Sequence, residues 1–516
     1  MQQTEMDLSR DSPLDFVKFA IFAILFAVQP VSAQYSDNSD SPEPASFKPF
    51  PREFRAAWLA TVDNIDWPTE RGLTAERQMA ELTSLFDRAV ELNLNAIIFQ
   101  IRPAADALYR SDLEPWSEYL TGEMGAPPEP EYDPLTFAVA EAHARGLELH
   151  AWFNPFRAHH PTATGPISSN HISRTRPDLV RSYGDQLWLD PGEPDAVAYS
   201  LAVIMDVVER YDIDGVHIDD YFYPYPVKDD AGVDIPFPDD QSWEKALGRG
   251  ETMTRDDWRR ANVDNFVERM YAGVKASKTW VKVGISPFGI WRPGYPESVT
   301  GFDAYARLYA DARKWVVEGW LDYITPQLYW SIESEGQSYP ALLEWWSGQN
   351  TAGRHLWPGN FASRTIAEGA RRWEPDEIID QVLVTRASPE ATGNVHFSIK
   401  ALLRANGTLG ARLVEGVYAE PALVPASPWL GDVPPAQPRV TISKVSSDGK
   451  GVTFELTPVG DESTTLWAIL LRNGDDEWFR VLPAGALTTG SVPSFLIAAD
   501  DEFGMPQEVD VIAVSR

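Results

Sequence analysis

The sequence predicts an α/β fold: a (β/α)8 TIM barrel followed by a small C-terminal β-sandwich-like domain. Three observations carry this. From Phe54 onward, eight apolar strand-like segments alternate with helical patterns. At Val424–Gln437 the composition changes to the Pro-rich VPASPWLGDVPPAQ, a boundary. Beyond it, strand-like runs follow one another with little helical periodicity.

The N-terminus reads as a secretory signal peptide over residues 1–33. FAIFAILFAV at Phe19–Val28 is a short apolar run, and Val31-Ser32-Ala33 supplies small residues at the cleavage spacing. The run is too short for a good membrane span. Its acidic flank, with Asp7, Asp11 and Asp15, leaves an uncleaved anchor as the alternative. Residues 34–50 are polar and rich in Pro and Ser, a linker. The barrel is expected over 51–430. Its strands are Phe54–Val62, Asn95–Arg102, Leu147–Pro155, Gly215–Tyr221, Val281–Pro287, Leu321–Trp330, His355–Phe361 and Val395–Leu402. Asp133-Pro134 and Glu374-Pro375-Asp376 are helix starts. Residues 438–516 should form an immunoglobulin- or fibronectin-like unit, with runs at Val440–Val445, Gly451–Leu456, Leu466–Arg472 and Val509–Val514.

Composition narrows the partners. A chain of 516 residues that is 44% hydrophobic, with 19 Trp, can fill a large barrel and a companion domain. A formal net charge of −32 argues against nucleic acid and anionic membranes, but not against a glycan. The lack of cysteine excludes disulfides, thiolate nucleophiles and Cys-bound zinc. No cofactor motif, HExxH, Walker sequence or GxSxG elbow is present. His159-His160 reads as a polar loop pair, and no metal site is expected.

The richest stretch is DIDGVHIDDYFYPYP, residues 212–226. Strand side chains alternate between faces. Val216 and Ile218 therefore point one way, and His217, Asp219 and Tyr221 the other. Similar splits put Gln100 and Arg102, then His150, Trp152 and Asn154, then Ser286 and Phe288, then Thr325, Gln327 and Tyr329 on the inner face. The same reading places His396, Ser398 and Lys400 inward on the last strand. Sites of such barrels lie at the strands' C-terminal ends. Asp219, the one carboxylate near a strand top on this face, is expected to be a nucleophile or a stabiliser of a cationic centre. Asp220 points away by parity. It either caps the following turn or is re-aimed into the mouth as an acid, with a pKa raised by its neighbour. Arg102, Asn154, His217, Gln327 and Tyr329 are expected to orient polar groups of a sugar, and Trp58, Trp152, Tyr221 and Trp330 to offer flat faces. The loop carboxylates Asp63, Asp66, Asp106 and Glu333 remain candidates for a second acid.

The segments FRAAWLATVDNIDWP, NAIIFQIRPAADALY, EPWSEYLTG, GLELHAWFNPFRA, LWLDPG, DGVHIDDYFYPYP, VKVGISPFGIWRPG, DYITPQLYW and NVHFSIKAL occur in order between about Arg52 and Trp429. In these the chain resembles the family 10 glycosyl-hydrolase-like proteins, bacterial, usually exported barrels. The resemblance implies a glycoside hydrolase. It points to bacterial polysaccharide, with peptidoglycan-type N-acetylhexosamine strands foremost because some members resemble enzymes that cut strands stripped of their peptides. Lipid-anchored members carry an N-terminal cysteine; its lack here implies a soluble periplasmic or secreted protein. The fourth strand is also similar to the chitinase-type DGxDxDxE pattern at Asp214, His217 and Asp219, but Tyr221 stands where that pattern has its acidic Glu. The competing expectations are a carbohydrate-binding protein on a barrel without catalysis, and an adhesion protein acting through its β-domain.

Overall fold

In a computed structural model, the described residues are 19–20, 48–403, 409–431, 435, 439–445, 451–457, 465–483, 494–498 and 506–515. Most of the expected signal peptide and linker lies outside them. The chain divides into two compact units, Pro51–Asp432 and Met1–Phe50 with Val433–Arg516.

The larger unit is built on parallel strands: β1 Phe54–Leu59, β2 Ala96–Arg102, β3 Glu148–Phe153, β4 Gly215–Ile218, β5 Lys282–Ile285, β6 Tyr323–Ile324, β7 in two pieces, His355–Leu356 and Gly359–Asn360, and β8 Gly393–His396. The nine segments form one curled sheet in the order β7–β6–β5–β4–β3–β2–β1–β8–β7. Its two ends are the two pieces of β7, separated only by Trp357 and Pro358. The first piece pairs with β6 and the second with β8, so the sheet curls until its ends meet on one stretch of chain.

Helices separate the strands. Thr74, Asp133 and Thr254 open Ala75–Glu91, Pro134–Ala144 and Arg255–Ser277 by accepting a first-turn backbone N–H, which satisfies a donor the helix itself cannot. Pro375–Ala387 starts after Glu374 with proline in its first turn. No helix among the described residues is long and apolar enough to cross a membrane.

Strand parity separates two apolar clusters. Ala57, Leu59, Ile97, Phe99, Leu149, Ala151, Val216, Ile218, Val283 and Ile285 belong to the large cluster that includes the helices' buried faces. Phe54, Ala56, Trp58, Ala96, Ile98, Trp152, Tyr323, Trp357 and Val395 form a second cluster, inside the sheet's curl. Two glycines make room for its rings: a Cβ on Gly215 would lie 2.6 Å from the His150 imidazole, and one on Gly284 1.9 Å from Tyr323.

The eighth strand corrects the sequence reading. Its inward residues are Val395 and the following Phe397. His396 is turned to the other face, where its Nε2 meets Tyr418 Oη at 2.9 Å. Asn394, on the same side, donates to Asn360 Oδ1 at 2.8 Å. Buried polar partners there outweigh the apolar-out rule. The strand also stops at His396, and Ile399–Leu403 is helical. Ser398 is held by Asp66, donating to its Oδ1 at 2.6 Å.

The strands described in the smaller unit are all antiparallel. Ser494–Ala498 pairs with Gly451–Thr457, which pairs with Arg439–Val445. A second sheet joins Asp476–Pro483, Leu466–Asn473, Glu508–Val514 and the two-residue strand Phe19–Ala20.

Candidate active site

β4 ends at Ile218, and the next residues, Asp219 and Asp220, are both buried, at 3% and 5% exposure. Ending the strand there frees Asp220 from strict alternation, so both carboxyls lie within a polar shell. Asp219 Oδ2 accepts the Trp152 indole N–H at 3.1 Å and is 3.3 Å from the Asn154 amide nitrogen. Asp220 Oδ2 accepts the hydroxyl of Tyr225. Burial pushes the Asp219 carboxyl up to about 7; Asp220's charge adds to this, while Arg157 and the Trp152 donor act against it. Burial also raises Asp220, opposed by Tyr225 and Gln327. Both carboxyls are thus harder to ionise than a free aspartic acid, and each one's charge opposes ionisation of the other.

His217 lies deeper, fully buried. Its Nε2 accepts from Trp58 Nε1 at 3.1 Å and lies 2.9 Å from Ser286 Oγ; its Nδ1 is 3.0 Å from Tyr323 Oη. Burial, aided by neighbouring His150, holds the imidazole well below its ordinary pKa. The sequence reading gave His217 and Trp58 to the substrate. The structure instead spends both on the floor beneath the carboxyls, because Trp58 is only 2% exposed and its N–H is taken.

Arg102 is also redirected. Its guanidinium closes on Glu114, with Nε 2.9 Å from Oε2, and both side chains are almost completely buried. Nη1 donates to the Asn154 carbonyl at 2.5 Å. Arg102 therefore fixes the top of β3 and, through it, Asn154.

Aromatic rings border the carboxyls. Half-buried Tyr221 faces Tyr225 at 5.5 Å between centroids. Phe288 lies 6.4 Å from Tyr225 and 5.6 Å from Trp330. Tyr329 stacks on Phe361 at 4.7 Å, and Phe397 lies 6.0 Å from Tyr329 and 6.1 Å from Trp58. Gln327 donates to the Ser286 carbonyl at 2.9 Å. Trp152, Asn154, Tyr221 and Gln327 are thereby brought around the aspartates; Tyr329 and Trp330 extend the aromatic border.

Two residues of this shell escaped sequence reasoning, Arg157 and Tyr225. Tyr225 stands in the YFYPYP run, where its pairing with Asp220 has no periodic signal. Arg157 follows Asn154 by three residues, and its backbone N–H donates to Asn154 Oδ1 at 2.9 Å. Of the loop carboxylates, Asp63 and Glu333 are exposed. Asp66 and Asp106 are buried and raised to about 6, chiefly by burial. Asp66 accepts from Ala60 N at 2.8 Å and from Ser398; Asp106 accepts from Ala104 N at 2.8 Å.

A buried carboxyl pair inside an aromatic border is chemistry suited to a carbohydrate. Glycosyl hydrolase YngK of Bacillus subtilis (strain 168) is 42% identical over 413 residues, covering 78% of this chain and 79% of the relative. Glycosyl hydrolase DigH of Escherichia coli (strain K12) is 32% identical over 413 residues, covering 75% and 92%. A more distant likeness, at 14% identity and a TM-score of 0.45, is to the PgaB (BpsB) glycoside hydrolase domain from Bordetella bronchiseptica, over 67% of this chain and 94% of that one. The model of the family described as Glycosyl hydrolase-like 10 matches residues 53–384, and the chain belongs to that family.

Proposed function

We propose that the protein is an exported glycoside hydrolase that cleaves N-acetylhexosamine-containing strands of the peptidoglycan type. The observation that carries the reading is the buried carboxyl pair at the end of β4. Burial raises Asp219 to about 7, which suits it to donate a proton to a leaving glycosidic oxygen. Asp220, backed by the Tyr225 hydroxyl, supplies the negative charge as nucleophile, base or stabiliser of the cationic transition state. This reverses the roles the sequence suggests, where Asp219 is the anion and Asp220, if re-aimed into the mouth, the acid. Similarity to two proteins named glycosyl hydrolases supports the general chemistry. Export rests on the apolar segment at Phe19–Val28, and the antiparallel sheets of the smaller unit support a β-sandwich reading.

The test is release of reducing ends from peptide-free peptidoglycan strands by wild type, Asp219→Asn and Asp220→Asn. Each variant is expected to lose at least about 100-fold in kcat/KM, the scale of a lost acid or base. Equal product from wild type and Asp219→Asn would overturn the assignment. Binding without cleavage by any of the three would make this a carbohydrate-binding protein.

A further inference from the structure

Phe397 stands where no regular element aims it. β8 ends at His396, and the helix Ile399–Leu403 begins two residues after Phe397. The ring is nevertheless held half-buried inside the sheet's curl, 6.1 Å from Trp58 and 6.0 Å from Tyr329 between centroids. Both neighbours adjoin the carboxyl pair. Trp58 donates to His217 beneath it, and the Tyr329 phenol feels the Asp220 charge.

The turn that carries Phe397 is tied from two sides. On the β7 side, its N–H donates to the Asn360 carbonyl at 2.9 Å, and its carbonyl accepts from Ser363 N–H at 2.8 Å. Ser398 N–H donates to Ser363 Oγ at 3.0 Å. On the β1 side stands Asp66. Its Oδ1 accepts the Ser398 hydroxyl at 2.6 Å and the Lys400 N–H at 3.3 Å, and its Oδ2 accepts the Ala60 N–H at 2.8 Å. The Lys400 ammonium donates to the carbonyl of the preceding Ile65 at 3.0 Å.

Asp66 is 7% exposed and Ser398 1%. A carboxyl is costly to bury, and donors on both oxygens offset that cost. So engaged, Asp66 faces the protein and not a glycosidic bond; what it organises is the turn bearing Phe397. A phenyl ring in a cleft offers a flat apolar face to the C–H side of a sugar, and it binds best when it is held in place beforehand.

We propose that Asp66 is a positioning residue: through Ser398 it fixes Phe397 as an aromatic platform that stacks against a sugar ring of the substrate strand. This rests on the glycosidase reading above and deepens it. A platform grips ground state and transition state alike, so its loss shows in KM and affinity and not in kcat.

The experiment uses the full chain and peptide-free peptidoglycan strands. It reads kcat and KM, and Kd by calorimetry in an Asp219→Asn background that leaves the strands intact. Phe397→Leu should raise KM and Kd about 3- to 10-fold at nearly constant kcat, the scale of one aromatic stacking contact. Phe397→Trp should recover part of that loss. Ser398→Ala and Asp66→Asn, which cut the clasp from either side, should raise both constants too. Two clasp variants guard against one that fails to fold, which thermal melting reports. Because the clasp acts through the ring, Ser398→Ala combined with Phe397→Leu should be no worse than Phe397→Leu alone. Unchanged constants in Phe397→Leu, clasp variants that lose only melting temperature, or additive losses in the double variant would overturn the proposal and leave the glycosidase reading intact. Wild type that binds strands without cutting them would overturn the glycosidase reading, and the Kd series would still decide the platform. Wild type that neither binds nor cuts would overturn both.

Discussion

Trp58 donates its indole N–H to His217 Nε2 at 3.1 Å, and this one contact fixes the tautomer of a buried imidazole in the barrel. An indole nitrogen can only donate. Nε2 of His217 must therefore be bare, and the proton sits on Nδ1, facing Tyr323 Oη at 3.0 Å. Tyr323 Oη also lies 2.8 Å from His150 Nδ1, and His150 Nε2 lies 3.0 Å from Glu148 Oε2. Glu148 is anionic, held down to about 2: Lys282 and His150 outweigh the burial that opposes ionisation. Its other oxygen accepts from Lys282 Nζ at 2.9 Å.

Removing the donor tests that logic. With histidines selectively labelled with 15N, His217 in wild type should show the neutral Nδ1–H pattern, unchanged between pH 5 and 8. Trp58→Phe should mix the tautomers and cost about 1–3 kcal/mol in urea unfolding, from the lost hydrogen bond and the smaller ring. A pure Nε2–H signal in wild type would contradict the tautomer.

Tyr225 acts on Asp220 through its hydroxyl. Tyr225→Phe removes a donor that favours the carboxylate, so the pKa of Asp220 should rise. The acid limb of the kcat/KM profile is expected to move up by about one pH unit or more, with about a 10-fold loss on its acid side. An unmoved acid limb would remove Asp220 from the ionising role.

Asp219 links protonation to stability. Its folded pKa, about 7, exceeds the 3.8 of the free group, so the folded state binds more protons between these values. Stability from this group is present at low pH and lost as pH rises through that window. Asp219→Asn abolishes the dependence. The variant should gain on wild type progressively from pH 4 to 7 and then level off, with a ceiling of roughly 4 kcal/mol. Parallel unfolding curves across that range would refute it.

Gly284 is expected to tolerate no side chain. A methyl 1.9 Å from the Tyr323 ring must displace it, and with it the His150 and His217 contacts. Gly284→Ala should lose about 1–3 kcal/mol of stability. An unchanged melting temperature would show that Tyr323 has room to move.

Much of this arrangement is legible in alternation. Val216 and Ile218 belong to one cluster and His217 to the other side, as their parity demands. The rule fails where polar residues find partners among the helices. His396 is inward by pattern but turns outward to Tyr418, on the side where Asn394 meets Asn360. Arg102 carries no mark in sequence of its commitment to Glu114, twelve positions away across a loop. Arg157 and Tyr225 sit in irregular segments, where no period links a side chain to its target. Contacts made by loops belong to three-dimensional placement, and that is where the shell of the aspartates was hidden.

The divided seventh strand has a consequence for how the molecule is made. β1 acquires β8 as a neighbour through a register that sets Phe54 beside Gly393, and β8 in turn holds the second half of β7. A chain emerging N-terminus first exposes one edge of β1 until nearly the whole larger unit has been synthesised. The ring is therefore sealed late, when β8 pairs with β1 over four residue pairs and with the second piece of β7 over two. Nascent chains halted before Gly393 must carry an unsatisfied backbone edge, the kind of surface that holdase chaperones and aggregation compete for.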